Sequence, residues 1–283
     1  MNTATTTLRN GHQRAWVEFL GGLKNPSDLS YYIVTNVVFV VVVFLNREAM
    51  IPELDLPAML FVFPGILAMQ LVLTATYGLA TLVATEREDG TLLRAKSLPN
   101  GMAGYVTGQA GRTLYEYVFS AAILLIAASI LIRGVWDNGF AGVTWLLAVI
   151  VLGLLATLPL GFAIGSIFKN PRTVGGIGLL VVGGVVAISG VFIPLVTFPL
   201  PLQILGQILP MYWIGLGLRH AMLPESAVAV EIGESWRVLE TLGVLGAWAV
   251  VGLVLAPVLL RRMARRESGS SVEARRQSAL QRI

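Results

Sequence analysis

The chain contains no cysteine and only two histidines, His12 and His220, far apart in sequence. The first absence excludes disulfides and cysteine-ligated metal sites, and the second leaves little from which to build a zinc centre. Charge is scarce too, at 13% of residues where a soluble domain carries about 25%. No carboxylates sit deep within the apolar runs, so a proton-driven pump lacks its relay. No repeated charged ring or filter-like segment is present either, which argues against a passive channel. What remains is 55% hydrophobic over 283 residues, the composition of an integral membrane protein.

A hydrocarbon core of about 30 Å takes roughly 20 apolar residues per helix. Six segments qualify, approximately 29–45, 58–84, 115–132, 143–168, 174–196 and 239–260. The first follows a basic leader, but Leu45–Met50 offers no small-x-small cleavage site, so it reads as a spanning helix and not a signal peptide. Six spans put both termini on one side. The segments of that side hold 16 of the 20 Lys and Arg residues, while Arg47, Arg133, Arg219 and Arg237 occupy the other. Cytoplasmic loops carry the basic excess, so both termini are expected in the cytoplasm. The net charge of +4 therefore reports topology, and no basic stripe suggests nucleic acid.

The expected architecture is an all-α membrane protein in three parts. Residues 1–28 form a cytoplasmic N-terminus, 29–260 a six-span domain and 261–283 a basic cytoplasmic tail held near anionic lipid. Within the first part, Trp16, Phe19, Leu20 and Leu23 recur at i, i+3, i+4, i+7 opposite Arg14, Glu18 and Lys24, the pattern of an interfacial helix. The fourth span carries Gly161 and Gly165 four apart. The fifth carries Gly176, Gly183 and Gly190 seven apart with Ala187 nearby, for close packing or for a sliding contact. Between the last two spans an apolar stretch is broken by Pro194, Pro199, Pro201 and Pro210, which predicts short re-entrant half-helices at about 194–215 on the external side.

The most charged run of the first half, Ala84–Gly101, needs its own account. Its Gly90–Ser97 portion differs by one residue from a phosphate-binding GxxxxGK[ST] loop, but Ala95 replaces the second glycine and a membrane helix precedes it in place of a buried strand. Geometry offers more. Glu86, Arg87, Glu88 and Asp89 are expected to emerge into the cytoplasm, Gly90 to turn the chain, and Thr91 to cap a short helix over 92–98 stopped before Pro99. A stiff knob on a membrane helix would pass an applied force into that helix. Polar residues inside the spans, Thr35, Asn36, Gln70, Thr74, Thr76 and Tyr77, either line a path or bond helices together. Arg112 and Glu116, four apart, read as an interfacial helix pair.

The sequence resembles the integral membrane permeases of the ABC-2 exporter type, which include antibiotic-efflux and polysaccharide- or lipid-export permeases. The residues that carry the likeness are EREDGTLLRAKSLP at 86–99, GFAIGSIFKNPRTVGGIG at 161–178, the proline-broken segment at 189–223 and the basic tail. The resemblance implies that Glu86, Arg87, Glu88, Gly90, Thr91, Leu92 and Arg94 belong to a coupling helix, about 85–99, that docks into a separate ATPase subunit. It implies that ATP and magnesium bind in that partner and no cofactor in this chain. It further implies an interface helix at Trp16–Leu23, hairpin break points at Pro194 and Pro210, and a bacterial inner-membrane location. Pairing of two permeases as a homodimer, which the resemblance also implies, would make Gly176, Gly183, Ala187 and Gly190 a dimer contact or path wall. Aromatic residues are few in the fourth and fifth spans, which favours a hydrophobic drug or lipid over a sugar chain. A membrane enzyme with Arg219, His220 and Glu225 at the external face is the competing reading, though no second histidine or paired carboxylate supports it.

Overall fold

Inside a bilayer no water meets backbone N–H and C=O groups, so a chain this apolar must close its hydrogen bonds within helices. The computed structural model, which describes residues 3–52, 55–98, 101–168 and 171–266, is helical nearly throughout. One antiparallel pair of two-residue strands, Met50–Ile51 with Leu56–Pro57, turns the chain between the first two spans.

Among the described residues six helices are long and apolar enough to cross a membrane: Pro26–Leu45, Ala58–Glu88, Gly101–Leu131, Gly139–Ile167, Pro171–Ile188 and Val238–Ala256. The count agrees with the sequence reading, but two boundaries do not. The third span begins at Gly101 and not near 115, because its polar first turns are glycine-rich and pack where hydropathy alone sees a loop. The fifth ends at Ile188 and not at 196, because Gly190 adopts a left-handed conformation (φ 68°) and stops the helix. The sixth span continues as helix to Arg266; the tail assigned to 261–283 otherwise lies outside the described residues.

The second span is the mast of the bundle. Inside this chain 72% of its apolar window is buried, against 50% for the fourth span and 11% each for the first and fifth. Between apolar helices in lipid the drive to associate is close packing, and small residues permit it. A methyl group at Gly161 would lie 2.3 Å from the Ala75 carbonyl oxygen, and one at Gly165 would lie 2.8 Å from that of Ala80, so the fourth span touches the backbone of the second. Gly252 of the sixth span meets Pro159 of the fourth in the same way. Two segments depart from α geometry: Leu73–Gly78 within the second span and Val174–Gly178 within the fifth are π-helical, each adding a residue to the local turn. They lie against one another, and the Tyr77 hydroxyl donates to the Gly175 carbonyl at 3.3 Å.

Candidate functional site

The charged end of the second span is only partly the exposed knob that the sequence suggests. The helix runs unbroken to Glu88, and Glu86 and Arg87 are buried, at 9% and 5% exposure. Glu86 accepts a hydrogen bond from the Gln109 carboxamide at 2.9 Å and lies 3.8 Å from the Arg14 guanidinium, so it joins the second span to the third and to the N-terminal helix. Arg87 donates to the carbonyls of Gly165, Ser166 and Phe168 at 3.3, 3.0 and 2.9 Å. These belong to the last turn of the fourth span and the residue that ends it, and all three of these otherwise orphaned acceptors meet Nη1. Glu86 and Arg87 are each buried within the chain and not presented on a knob, because each finds a polar partner on a neighbouring helix.

Beyond them the chain turns at Gly90, which is left-handed at φ 84°. Thr91 does not cap the next helix. The Asp89 carboxylate does, accepting from the Thr91 backbone N–H at 2.8 Å, because Asp precedes the turn and can fold back over it. The short helix spans Thr91–Ser97, with Leu98 extended ahead of Pro99. Leu92 and Ala95 bury into a cluster with Leu79, Val83, Tyr105 and Phe162, while Asp89, Arg94, Lys96 and Leu98 face outward. One face of this helix is thus bolted to the second, third and fourth spans, and the other carries the exposed side chains. The glycine-to-serine stretch resembling a phosphate loop is this helix, preceded by a helix and not by a strand.

The N-terminal helix is longer than the periodicity suggests, Thr3–Lys24. Its buried face is Gly11, Ala15, Phe19 and Gly22, one step round from the predicted stripe; Phe19 is shared, Leu20 and Leu23 are half-buried, and Trp16 is exposed. It lies along the glycine-rich start of the third span, where a methyl at Gly11 would strike the Thr107 side chain and one at Gly111 would lie 2.8 Å from Ala15 Cβ. Aromatic edges continue the seam: Tyr115 packs on His12 and Trp16, and Phe119 on Phe19. Hydropathy misses this contact, whereas the small residues at Gly104, Gly108 and Gly111 carry a signal for it. Gln109 and Tyr105, which face Glu86 and Arg14, were missed with it.

In the fifth span Gly176, Gly183 and Ala187 are exposed within this chain, and nothing lies within 4 Å of a methyl placed at either glycine. Gly190 does not share their face: it is buried past the helix end, where a Cβ would meet Leu195 at 2.7 Å. Further on, each proline starts a segment. Pro194 precedes the turn Leu195–Thr197, Pro199 and Pro201 open the helix Leu200–Ile208, and Pro210 opens Pro210–Met222, with Leu209 extended between the two helices. The second of these helices is almost wholly buried among the second, fourth and sixth spans. Asn138, before the fourth span, caps it by donating to the carbonyls of His220, Ala221 and Leu223.

The residues of the competing enzymatic reading are taken up by structure. Arg219 is fully buried, its Nε 2.6 Å from Glu231 and its Nη1 donating to the carbonyls of Gly190 and Val191. His220 packs between Trp145 and Trp236, and burial pulls its pKa below the usual value despite the nearby Glu225. The Glu225 carboxylate accepts the Trp236 indole N–H at 3.0 Å. Among the described residues no group of three acidic or histidine side chains could hold a metal.

Of the polar span residues, Thr35, Gln70, Thr74 and Tyr77 line a common cavity between the first three spans. Asn36 instead donates to Ser120 at 2.9 Å and so joins the first span to the third, while the Thr76 hydroxyl donates to the Val72 carbonyl within its own helix. Arg112 and Glu116 form the expected pair, Nε to Oε1 at 2.7 Å.

No curated protein matches the sequence. Residues 30–257, which contain all but the first few residues of the six spans, match the family described as ABC-2 family transporter protein. With the multi-pass helical bundle and a match over most of its length, the chain belongs to the ABC-2 transporter family and is the membrane-spanning, permease part of an ABC transporter.

Proposed function

We propose that the chain works as one of a pair of permeases in an exporter, driven by two separate ATPase subunits, and moves a hydrophobic drug or lipid outward across a bacterial inner membrane. The observation that carries this reading is the helix Thr91–Ser97. Its inner face is fixed in the bundle by Leu92 and Ala95, and its outer face presents Asp89, Arg94, Lys96 and Leu98. A docked motor protein would grip that outer face, and the load would pass through Gly90 into an unbroken helix of 31 residues. Glu86 and Arg87 then act as positioning residues, tying that helix to its neighbours. ATP and magnesium belong to the partner in this reading.

Pairing is supported by the first and fifth spans, each with only 11% of its apolar window buried within the chain. Their exposed faces, including Gly176, Gly183 and Ala187, suit a second copy or the wall of a path between copies. The Lys and Arg bias supports cytoplasmic termini. Export of a glycan is the alternative substrate class. The enzymatic reading loses support because His220 and Glu225 are engaged by tryptophans.

The test is affinity purification of the tagged chain from detergent-solubilised native membranes, with identification of partners and an ATPase assay. A cytoplasmic ATPase is expected, and it should be lost in Glu88→Ala and Leu98→Asp while membrane insertion persists. A chain that purifies alone and hydrolyses no ATP, or variants that recruit the ATPase normally, would overturn the assignment.

A further inference from the structure

The first three spans line an open-sided cavity of about 360 Å³ at the end of the bundle that carries the N-terminal helix, a volume typical of small-molecule sites. Its deep end is Gln70, which is 4% exposed and whose carboxamide oxygen accepts no hydrogen bond among the described residues. A buried acceptor left unmet beside a cavity suits a donor brought by a ligand. The wall is the π-helical turn of the second span, which contributes Thr74 and Tyr77, and across from it stand Tyr31 and Tyr32 of the first span.

The mouth sets the charge. Asp28 and Glu116 line it with Arg112, whose Nε is 2.7 Å from Glu116 and whose terminal nitrogen is 3.8 Å from Asp28. Two carboxylates against one guanidinium leave an excess of one negative charge, and among the described residues no other basic side chain lines the cavity. Tyrosine rings add electron-rich faces that attract cations. Behind Tyr32, an apolar cavity of about 310 Å³ between the first and third spans offers room for a hydrophobic tail.

We propose that this cavity binds an amphipathic organic monocation, its apolar rings against Tyr31, Tyr32 and Tyr77 and its charge toward Asp28 and Glu116. As a substrate site it rests on the exporter reading; as a binding site it does not. The wall residues belong to the same helix that ends at Glu88, so an occupant touches the element through which the motor would act.

The test uses the full chain in nanodiscs of zwitterionic lipid, with empty nanodiscs as background and tetraphenylphosphonium as probe. Tetraphenylborate, of like shape and opposite charge, serves as the comparison. Saturable binding of the cation and none of the anion is expected. Thr74→Phe, which fills the cavity, should abolish binding, and Asp28→Asn should weaken it at least tenfold. Asp28 is 40% exposed at the mouth, so this second variant keeps the test decisive even where the first fails to fold. Equal binding of both ions, or cation binding indifferent to Asp28→Asn, would overturn the proposal. A chain that recruits its ATPase yet binds no tetraphenylphosphonium keeps the exporter reading and loses this site; Asp28-dependent binding without an ATPase does the reverse.

Discussion

Arg219 and Arg87 sit at opposite ends of the bundle, and each uses its guanidinium to satisfy main-chain oxygens that helices leave behind. Arg219 pairs with Glu231 where neither side chain reaches solvent. Removing one partner of such a pair strands a buried charge, so Glu231→Ala is expected to cost about 3–5 kcal/mol. The double variant Arg219→Met with Glu231→Leu should recover much of that loss, and thermal unfolding of the purified variants in detergent measures both. At the other end, Arg87→Ala forfeits bonds to three carbonyls of the fourth span. A charged hydrogen bond contributes roughly 1.5–3 kcal/mol, so a clearly lowered transition temperature is expected. Arg87→Lys should restore only part of it, since the lysine side chain is one bond shorter than the reach to Nη1, the nitrogen that makes all three bonds.

At the scale of elements, two sets of glycines that look alike in sequence separate in space. Gly161→Ala places a methyl against the Ala75 carbonyl and should destabilise the chain by about 1–3 kcal/mol through overpacking. Gly183→Ala meets nothing and should leave the unfolding transition unchanged. A larger replacement, Gly183→Trp, is expected to lower the dimer fraction seen by light scattering; an unchanged mass would remove the fifth span from the contact. The spans themselves were legible because their apolar runs are long and their flanks charged, and the proline-started helices because proline fixes where a helix can begin. The third span's first turns were not legible: Gly101–Gly111 is polar and rich in glycine, and it is helical because the N-terminal helix packs on it. Nor were the fates of Glu86 and Arg87 legible. A charged residue at a span end reads as solvated unless its partner, here Gln109 or the fourth span's last turn, is known.

For the whole molecule, the lack of cysteine makes topology directly measurable. Single cysteines at Gln13 and Ser226 in intact cells should react oppositely with an impermeant maleimide, Ser226 labelling and Gln13 not. Labelling at both positions, or at Gln13 alone, would reverse the orientation assigned from Lys and Arg. The π-helical turn in the second span bears on the assembly in a further way. An α-helix advances about 100° per residue, so the extra residue in Leu73–Gly78 shifts the sequence pattern after it by one step, while the wider turn absorbs that step in space. The half facing the helix Pro210–Met222 and the half carrying Glu86 and Arg87 are written in two different phases. Deleting Ala75 should return the turn to α geometry and leave Glu86 facing Gln109 and Arg87 facing the fourth span, whereas deleting Ala84, in the α-helical part, should turn both away with hydropathy almost untouched. The wide turn is thus the one place in this span where the length can change by a residue without unkeying the bundle's two ends.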